Sequence, residues 1–428
     1  MLEIYFETYG CTANQNSTEI MKGLVRQAGL NITNKPDFAD IIIINSCIVK
    51  EPTQEKIRRK VSDYLKKDKK VILSGCMPRL NKKRLRKENL FLLDTSQIRN
   101  ITNLLKEIKE NNYSEQFLEK RNEIKLNLPK ISSEKFIGIT QISEGCFGEC
   151  AYCIVRLAKG KLFSYPTEKI IESIKKDLES GCKEIWITSQ DNAAYGNEDS
   201  KYLLPDLLKQ ILEFPHRFYL RLGMMNPNNV LKILPELIEI YKHPKMFKFL
   251  HLPIQSGSNK VLKLMNRKYT TKDVLKIIKA FRKEMPNITI ATDIIVGFPG
   301  ETEKDFNDTM KILKKIQPEI LNRSNFGVRP GTPAEKMKQT PPNIITKRAT
   351  KLMNFHLKMC NQMQNKWLGK EINVLIDKKG FGNTWLGRTE NYKLVAVQSK
   401  EKLLGKKIKT IVKKISPHYL ICDKIIRP

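Results

Sequence analysis

The chain has 428 residues, more than one domain usually holds, so we expect two or three domains with separate hydrophobic cores. Its hydrophobic content of 40% indicates a globular fold, and no stretch has the run of apolar residues that a membrane span needs. The 77 Lys and Arg against 45 Asp and Glu give a net charge of +32, which indicates a polyanionic partner unless it reflects a general lysine bias.

The first region alternates short apolar runs with helical patterns, which is typical of βαβ units around an open parallel sheet. The first run begins at the N-terminus, which lacks the basic region and cleavage site of a signal peptide, so we expect a cytoplasmic protein. The predicted strands are Glu3–Glu7, Ile41–Asn45, Val71–Ser74 and Leu90–Asp94.

Three of these strands are followed by a cysteine, namely Cys11, Cys47 and Cys76. In an open α/β sheet, groups just past the carboxyl ends of neighbouring strands converge on one crevice. Nine cysteines in a cytoplasmic chain favour metal ligation over disulfides. The three thiols are therefore predicted to form a ligand set, although three buried core cysteines are the simpler alternative.

A lysine-rich stretch from about Lys106 to Lys130 predicts a domain boundary, which we place between residues 125 and 126. Beyond it, six strands alternate with helical segments such as 168–180 and 271–284, which predicts a partial (βα)6 barrel with its chemistry at the carboxyl ends of the strands. The predicted strands are Phe136–Thr140, Glu184–Thr188, Phe218–Leu222, Phe247–Leu250, Thr289–Val296 and Ile320–Ser324. A helical pattern over 346–364 ends this domain, 126–364.

Residues 365–428 are predicted to form a small β-barrel that binds RNA. This segment carries 15 Lys and Arg against 5 Asp and Glu, a positive charge density about twice that of the whole chain. Its predicted strands are Ile372–Ile376, Leu394–Val397, Lys407–Val412 and Tyr419–Cys422.

The sharpest motif is Cys146, Cys150 and Cys153, which follow the first barrel strand with the spacing C-x3-C-x2-C. Three close thiolates without a fourth ligand make a poor structural zinc site, since zinc takes four closed ligands there. A 4Fe-4S cluster can leave one iron without a protein ligand, and that iron can chelate S-adenosylmethionine for reductive cleavage.

With this motif in a βα barrel, the sequence resembles the radical S-adenosylmethionine superfamily, with a zinc site as the alternative. The whole chain resembles the methylthiotransferase family, which joins an N-terminal cluster domain, a radical barrel and a TRAM domain. The resemblance implies two 4Fe-4S clusters, one on Cys11, Cys47 and Cys76 and one on Cys146, Cys150 and Cys153. Residues 266–270 and 329–333 also look like family stretches.

The resemblance implies that S-adenosylmethionine serves both as methyl donor, to sulfur held at the N-terminal cluster, and as the radical source. The radical abstracts hydrogen from carbon 2 of an adenine, a C–H bond that acid-base catalysis does not activate. Residues after the barrel strands are the predicted cofactor contacts: Gln190, Asp191, Arg221, Gln255 and Gly297. Arg221 is predicted to pair with a carboxylate, with a strand-end surface arginine as the alternative.

The stretch Gly160-Lys-Leu-Phe-Ser-Tyr-Pro166 resembles the archaeal and eukaryotic branch, which implies threonylcarbamoyladenosine in the anticodon stem-loop of tRNA as substrate. Isopentenyladenosine in tRNA and a ribosomal-protein aspartate are the alternative substrates of the family. Two other interpretations are an RNA-binding protein with structural clusters and an enzyme whose N-terminal cluster only relays electrons. The sulfur donor and the reductant are left open.

Overall fold

The computed structural model describes residues 2–81, 87–111 and 115–426. The chain forms an N-terminal parallel sheet, a central half-open barrel of parallel strands, and a C-terminal closed barrel. None of the helices in the described ranges combines the length and the hydropathy that crossing a lipid bilayer requires.

The N-terminal sheet has five parallel strands, and the four predicted from the sequence are among them. The strands are Glu3–Thr8 (β1), Asn31–Ile32 (β2), Ile41–Ser46 (β3), Lys70–Gly75 (β4) and Leu90–Asp94 (β5), in the order β2-β1-β3-β4-β5. The helices are Thr12–Gln27 (α1), Glu51–Leu65 (α2), Pro78–Asn81 (α3) and Ile101–Lys109 (α4). The isoleucines 41–44 alternate between a layer with α1 and α4 and a layer with α2, so β3 is buried on both faces.

The central barrel contains the six predicted strands, all parallel. They are Ile137–Gln141 (β6), Glu184–Thr188 (β9), Tyr219–Leu222 (β10), Phe249–His251 (β11), Thr289–Val296 (β12) and Ile320–Asn325 (β13), with the short strands Ser143–Glu144 (β7) and Phe163–Ser164 (β8) after β6. Strands β6, β9 and β10 form one run and β11 to β13 another, and a bridge between Leu220 and Met246 joins the two.

Helices on the outside of this barrel cover one continuous apolar core. They are Val155–Lys159 (α5), Thr167–Glu179 (α6), Leu204–Leu212 (α7), Pro227–Val230 (α8), Leu234–Lys242 (α9), Asn259–Leu264 (α10), Thr271–Glu284 (α11), Glu303–Ile316 (α12) and Pro342–Gln364 (α13). Capping boxes at Thr270 and Thr302 begin α11 and α12, because each threonine side chain satisfies a free N–H of the first turn. Helix α13 begins four residues before the predicted start at 346.

The C-terminal barrel closes in the order β14-β15-β16-β18-β17. Its strands are Glu371–Lys379 (β14), Thr384–Arg388 (β15), Leu394–Gln398 (β16), Lys407–Ile415 (β17) and Leu420–Ile426 (β18). Four of these were predicted and β15 was missed. The barrel core is small and is built mainly from valine, isoleucine and leucine side chains.

The C-terminal barrel closes the central barrel at the amino ends of its strands, an end that we call the floor. The backbone of the turn between β15 and β16 accepts hydrogen bonds from Lys248 N (2.8 Å) and from the hydroxyl of Thr289 (2.6 Å). Tyr392, in the same turn, packs against Phe247 and Phe249 with ring centroids 4.9 and 4.6 Å apart. The carboxyl ends of the barrel strands therefore remain as the end where chemistry can occur.

Candidate active site

The three N-terminal cysteines come together because β1, β3 and β4 are neighbours in register. Residues 8, 45 and 74 are aligned across these strands, Cys47 and Cys76 directly follow β3 and β4, and Cys11 begins the turn into α1. The strand register therefore brings the three cysteines to the same edge of the sheet. Their role as one ligand set stays a prediction.

Gly10 and Asn14 shape this site. A Cβ on Gly10 would lie 2.8 Å from Cβ and 3.1 Å from Sγ of Cys47, and the positive φ of +109° also favours glycine. The Asn14 amide donates to the carbonyls of Tyr9 (2.8 Å) and Ser46 (2.9 Å), which fixes the loop around Cys11. Burial raises the pKa of Cys47 and raises that of Cys76 to about 12, so both are thiols until a metal displaces their protons.

The second set of cysteines lies in a loop held by the antiparallel pair β7 and β8. Gly148 N donates to Sγ of Cys146 (3.3 Å), and Arg267 Nη1 lies 3.1 Å from Sγ of Cys150. Burial raises the pKa of Cys146 to about 12 and that of Cys153 to about 11. Hydrogen bonds to sulfur and a guanidinium beside it suit thiolates that hold an iron-sulfur cluster.

A cavity of about 630 Å³ opens beside these cysteines at the carboxyl ends of the barrel strands. It is lined by Cys146 and Cys150 on one side and by Asn226, Asn229 and Arg267 on another. Arg267 also donates to the side chain of Asn226 (2.8 Å). The cavity therefore places amide and guanidinium groups next to the cysteine loop, where they can orient a polar ligand.

One of the predicted cofactor residues, Asp191, lies close behind this cavity, and Gln190 precedes it in the chain. Asp191 accepts hydrogen bonds from Asn226 N (2.9 Å) and from the side chain of Asn229 (2.7 Å) and so orients both cavity-lining asparagines. Burial raises the pKa of Asp191. Oε1 of Gln190 is buried and has no hydrogen-bond donor among the described residues, which leaves it free to accept from a ligand.

The other predicted cofactor residues lie apart from the cavity lining. Gln255, which has a φ of +64°, pairs through its backbone with β12. Gly297 faces α13, where a Cβ would lie 2.4 Å from the side chain of Ile345. Arg221 is enclosed by Trp186, Phe249 and Tyr392 at 5.0 to 5.4 Å, near the floor. The roles given to these three residues stay predictions.

Arg267, Lys159 and Arg329 were not among the predicted site residues, although two of them lie in the family-like stretches 266–270 and 329–333. Arg329, from the loop after β13, donates to the carbonyl of Val49 (3.0 Å) and to Gln54 (3.4 Å), and so ties the barrel to the segment after Cys47. Each of the three residues makes a contact with a residue more than 60 positions away, which the spacing of a local motif does not reveal.

A buried ion cluster lies between the two cysteine sites. Glu144, two residues before Cys146, accepts hydrogen bonds from Lys125 and from Lys159. Ala158, next to Lys159, packs in the same apolar cluster as Cys76, and its carbonyl accepts a hydrogen bond from Arg79. Burial alone would raise the pKa of Glu144, but the two ammonium groups lower it to about 2. The segment 144–160 thus reaches from one cysteine site to the other.

The remaining cysteines, Cys182, Cys360 and Cys422, are buried elsewhere in the fold. Among the residues that the structure describes, no three His, Cys, Asp or Glu side chains are arranged to ligate one metal ion. In a 4Fe-4S cluster each thiolate binds a different iron, so the sulfur atoms lie farther apart than they do around a single zinc ion. Each of the two sites offers three thiols. One site also has the space left by Gly10 and the other has hydrogen bonds to sulfur, which fits such a cluster.

Three segments of the chain match known protein families. Residues 140–313 match the Radical SAM superfamily, residues 366–425 match the TRAM domain, and residues 3–93 match a group described as uncharacterized protein family UPF0004. Together the matches span the central barrel, the C-terminal barrel and the N-terminal sheet.

Relatives in archaea and animals are similar over nearly the whole chain. A probable threonylcarbamoyladenosine tRNA methylthiotransferase of Pyrococcus horikoshii is 39% identical, covering 99% of this chain and 100% of the relative. The threonylcarbamoyladenosine tRNA methylthiotransferase of Danio rerio is 33% identical, covering 98% of this chain and 78% of the relative.

Solved structures share the fold at low sequence identity. The radical S-adenosylmethionine methyltransferase TsrM of Kitasatospora setae has a TM-score of 0.56 at 11% identity, covering 78% of this chain and 77% of that one. The cobalamin-dependent S-adenosylmethionine radical enzyme OxsB has a TM-score of 0.54 at 10% identity, covering 92% and 63%. These likenesses concern the fold alone.

Proposed function

The chain belongs to the family of threonylcarbamoyladenosine tRNA methylthiotransferases, and from this premise we propose that it attaches a methylthio group to carbon 2 of that nucleoside in the anticodon stem-loop of tRNA. The observation that carries the proposal is the presence of two sets of three cysteines joined by the segment 144–160, which contains Cys146, Cys150 and Cys153 and packs through Ala158 in the same apolar cluster as Cys76. The proposed units are the N-terminal cluster domain, 1–125, the radical barrel, 126–364, and the RNA-binding barrel, 365–428. The proposed location is the cytoplasm, where tRNA is modified.

In this proposal Cys146, Cys150 and Cys153 hold a 4Fe-4S cluster in the radical barrel. When bound, the cluster and S-adenosylmethionine supply the radical that removes a hydrogen from carbon 2 of the adenine. Arg267 holds Cys150 by its hydrogen bond to sulfur and Asn226 by a second bond. Asn226 and Asn229, oriented by Asp191, are proposed to bind the polar end of S-adenosylmethionine in the cavity of about 630 Å³. Gln190 is proposed to accept from its amino group, since Oε1 has no donor among the described residues.

Cys11, Cys47 and Cys76 are proposed to hold a second 4Fe-4S cluster that carries the sulfur to be transferred. Gly10 leaves space beside Cys47, and Asn14 fixes the loop that carries Cys11. Arg329 anchors the segment that follows Cys47 to the barrel. The contact of Arg329 joins the N-terminal sheet to the loop after β13, and in this proposal it keeps the two cysteine sites close enough to act on one nucleoside.

The proposed binding surface for tRNA includes the C-terminal barrel. Its segment is strongly basic, with 15 Lys and Arg against 5 Asp and Glu in residues 365–428. Phosphate neutralisation by such residues supplies affinity without reading sequence. The choice of nucleoside is therefore made at the cysteine sites and not by this barrel.

The test is anaerobic reconstitution followed by incubation with reductant, S-adenosylmethionine and tRNA carrying threonylcarbamoyladenosine, then mass spectrometry of the nucleosides. We expect the methylthio derivative with the parent chain, its loss together with 5′-deoxyadenosine in Cys146→Ala, and its loss without loss of 5′-deoxyadenosine in Cys47→Ala.

Cys182→Ala is the matched control, since Cys182 is buried away from both cysteine sites and its loss should leave both products. If 5′-deoxyadenosine forms without the adduct, isopentenyladenosine-containing tRNA and the ribosomal protein become the substrates to test. If the chain binds tRNA but produces neither compound, it is an RNA-binding protein with structural clusters.

A further inference from the structure

Two buried lysines share a single carboxylate at the boundary between the N-terminal sheet and the barrel. Lys125 Nζ donates to both oxygens of Glu144 (2.8 and 2.7 Å), and Lys159 Nζ donates to one of them (3.0 Å) and to the hydroxyl of Thr95 (3.3 Å). The side chains of Lys125 and Lys159 are 0% and 2% exposed. Two lysine side chains therefore share one carboxylate out of contact with solvent. Burial lowers the pKa of Lys125, whereas at Lys159 burial is outweighed by neighbouring negative charges, that of Glu144 foremost, which raise the pKa.

Neighbouring acidic residues do not supply a second negative charge for the two lysines. Asp94 lies next to Glu144 but is paired with Arg79, whose Nε is 3.4 Å from its carboxylate. Glu123 faces Lys125 together with two further cations, Arg99 and Arg121. A buried charge without a counter-ion is costly, so an anion next to these two lysines would stabilise the folded protein.

Lys159 lies beside the N-terminal cysteine site. Its Nζ donates to the hydroxyl of Thr95, and the pairing of Gly75 with Asp94 places the two residues that follow, Cys76 and Thr95, next to each other. Ala158, the neighbour of Lys159, packs in the same apolar cluster as Cys76. Cys76 is buried and Cys11 is exposed. These thiols become anions when they hold iron, and three thiolates with a cluster and its bound sulfur form a negatively charged group.

We propose that Lys159 is the counter-cation of the N-terminal cluster, a positioning residue supplied by the radical barrel to the other cysteine site. This inference rests on the proposed function, since it requires a cluster on Cys11, Cys47 and Cys76. No sequence motif assigns a role to Lys159, and the spacing of the cysteines does not include it.

The backbone explains how the barrel delivers this charge. Lys159 is the last residue of α5, which begins two residues after Cys153 and ends where Gly160 takes a φ of +87°. The carbonyl of Gly160 accepts the N–H of Cys146 (3.1 Å). The loop that carries the radical cysteines therefore also fixes Lys159, and the two cysteine sites are linked through one short helix.

A cation beside a cluster makes the addition of an electron easier, because it offsets the extra negative charge. We therefore expect Lys159→Met to make the midpoint potential of the N-terminal cluster more negative, and Lys159→Arg to restore it. The full-length chain with Cys146, Cys150 and Cys153 all changed to alanine isolates this cluster. Its potential is measured by an anaerobic redox titration followed by electron paramagnetic resonance.

Lys130→Met is the matched control. Lys130 pairs with Asp177 at 2.6 Å in the barrel, is also largely buried, and lies apart from all three N-terminal cysteines, so its loss should leave the potential unchanged. A potential shift in Lys159→Met alone, or loss of cluster iron in that variant alone, supports the inference. An unchanged potential with full iron content overturns it.

Thermal unfolding of the metal-free chain separates this role from a purely structural one. Lys159→Met leaves Lys125 paired with Glu144 and removes the second cation from the buried cluster. The metal-free variant should therefore melt no lower than its parent. A melting temperature reduced as far as that of Glu144→Gln would make Lys159 a structural partner of Glu144 and overturn the inference. If the parent without Cys146, Cys150 and Cys153 takes up no cluster at all, the proposed second cluster is refuted instead.

Discussion

Glu184 is an acid buried where the central barrel meets the C-terminal barrel. Its Oε2 accepts from the indole N–H of Trp186 (2.9 Å), while Oε1 has no hydrogen-bond donor among the described residues. Burial and then the nearby carboxyl of Asp377 raise the pKa of Glu184 to about 8. The acid is therefore protonated at neutral pH, and its own proton can serve the facing carboxyl group.

This pKa predicts how stability depends on pH. The unfolded chain releases the proton of Glu184 near pH 4.5 and the folded chain only near pH 8, so the folded state binds more protons between these values. Its free energy of unfolding should fall across that window as pH rises, by at most about 1.4 kcal/mol per pH unit for one proton. Denaturant unfolding at several pH values, for the parent and Glu184→Gln, measures the slope.

The variant should lose this part of the slope, because glutamine keeps the bond from Trp186 and does not titrate. Glu172→Gln is a suitable control, since Glu172 is half exposed and its partners, Lys176 and Asn127, also lie at the surface. An equal slope in the parent and in Glu184→Gln would show that Glu184 is ionised in the folded protein.

The conformation of the loop that carries the radical cysteines depends on the antiparallel pairing of β7 with β8. Gly145, between β7 and Cys146, has a φ of +79°, and a Cβ there would lie 1.9 Å from the carbonyl oxygen of Lys161. The adjacent Cys146 N–H bonds the carbonyl of Gly160. A side chain at position 145 therefore has to separate the two segments that hold the loop.

We expect Gly145→Ala to lose the cluster at Cys146, Cys150 and Cys153 and with it the formation of 5′-deoxyadenosine. Gly181→Ala is the control, because Gly181 has a similar φ of +93° but open space around its Cα. That control should cost only the backbone strain of about 1–2 kcal/mol and keep its iron. The iron content and the thermal unfolding of both variants test this prediction. Equal iron content in the two variants would contradict the steric argument.

The strands that hold the cysteines could be predicted because each is a run of apolar residues with a clear end. Strand β15 was missed, since Gly387 interrupts the run Thr384–Arg388, and β2, β7 and β8 have only two residues each. Both cysteine sets were predicted from strand ends and spacing, and their role as cluster ligands stays a prediction. Arg267 was not, since its contact with Cys150 joins residues 117 positions apart and depends on how the barrel closes.

The two ends of the central barrel have separate tasks in the whole molecule. The radical cysteines lie at the carboxyl ends of its strands, while Tyr392 of the C-terminal barrel fills the floor together with Phe247 and Phe249. Under the proposed function, a tRNA that contacts the C-terminal barrel therefore has to extend along the side of the central barrel to reach these cysteines.

Tyr392 should be the main contact that holds the two barrels together. It is 5% exposed and its ring packs on two phenylalanines, so Tyr392→Ala should reduce the free energy of unfolding by about 3–5 kcal/mol, as other buried aromatic truncations do. Phe381→Ala is the control in the same barrel, since Phe381 is 97% exposed and its loss should change stability by less than about 0.5 kcal/mol. Denaturant unfolding of the two variants tests this, and equal midpoints would mean that the floor is held by other contacts.

Tyr392 follows the central barrel in the chain, and this order has a consequence for synthesis on the ribosome. Domains generally fold as units as they emerge, with the N-terminal ones first. The apolar floor of the central barrel, including Phe247 and Phe249, then stays uncovered until the turn between β15 and β16 has left the exit tunnel. Premature termination before that turn should leave an aggregation-prone intermediate that binds a chaperone or is degraded.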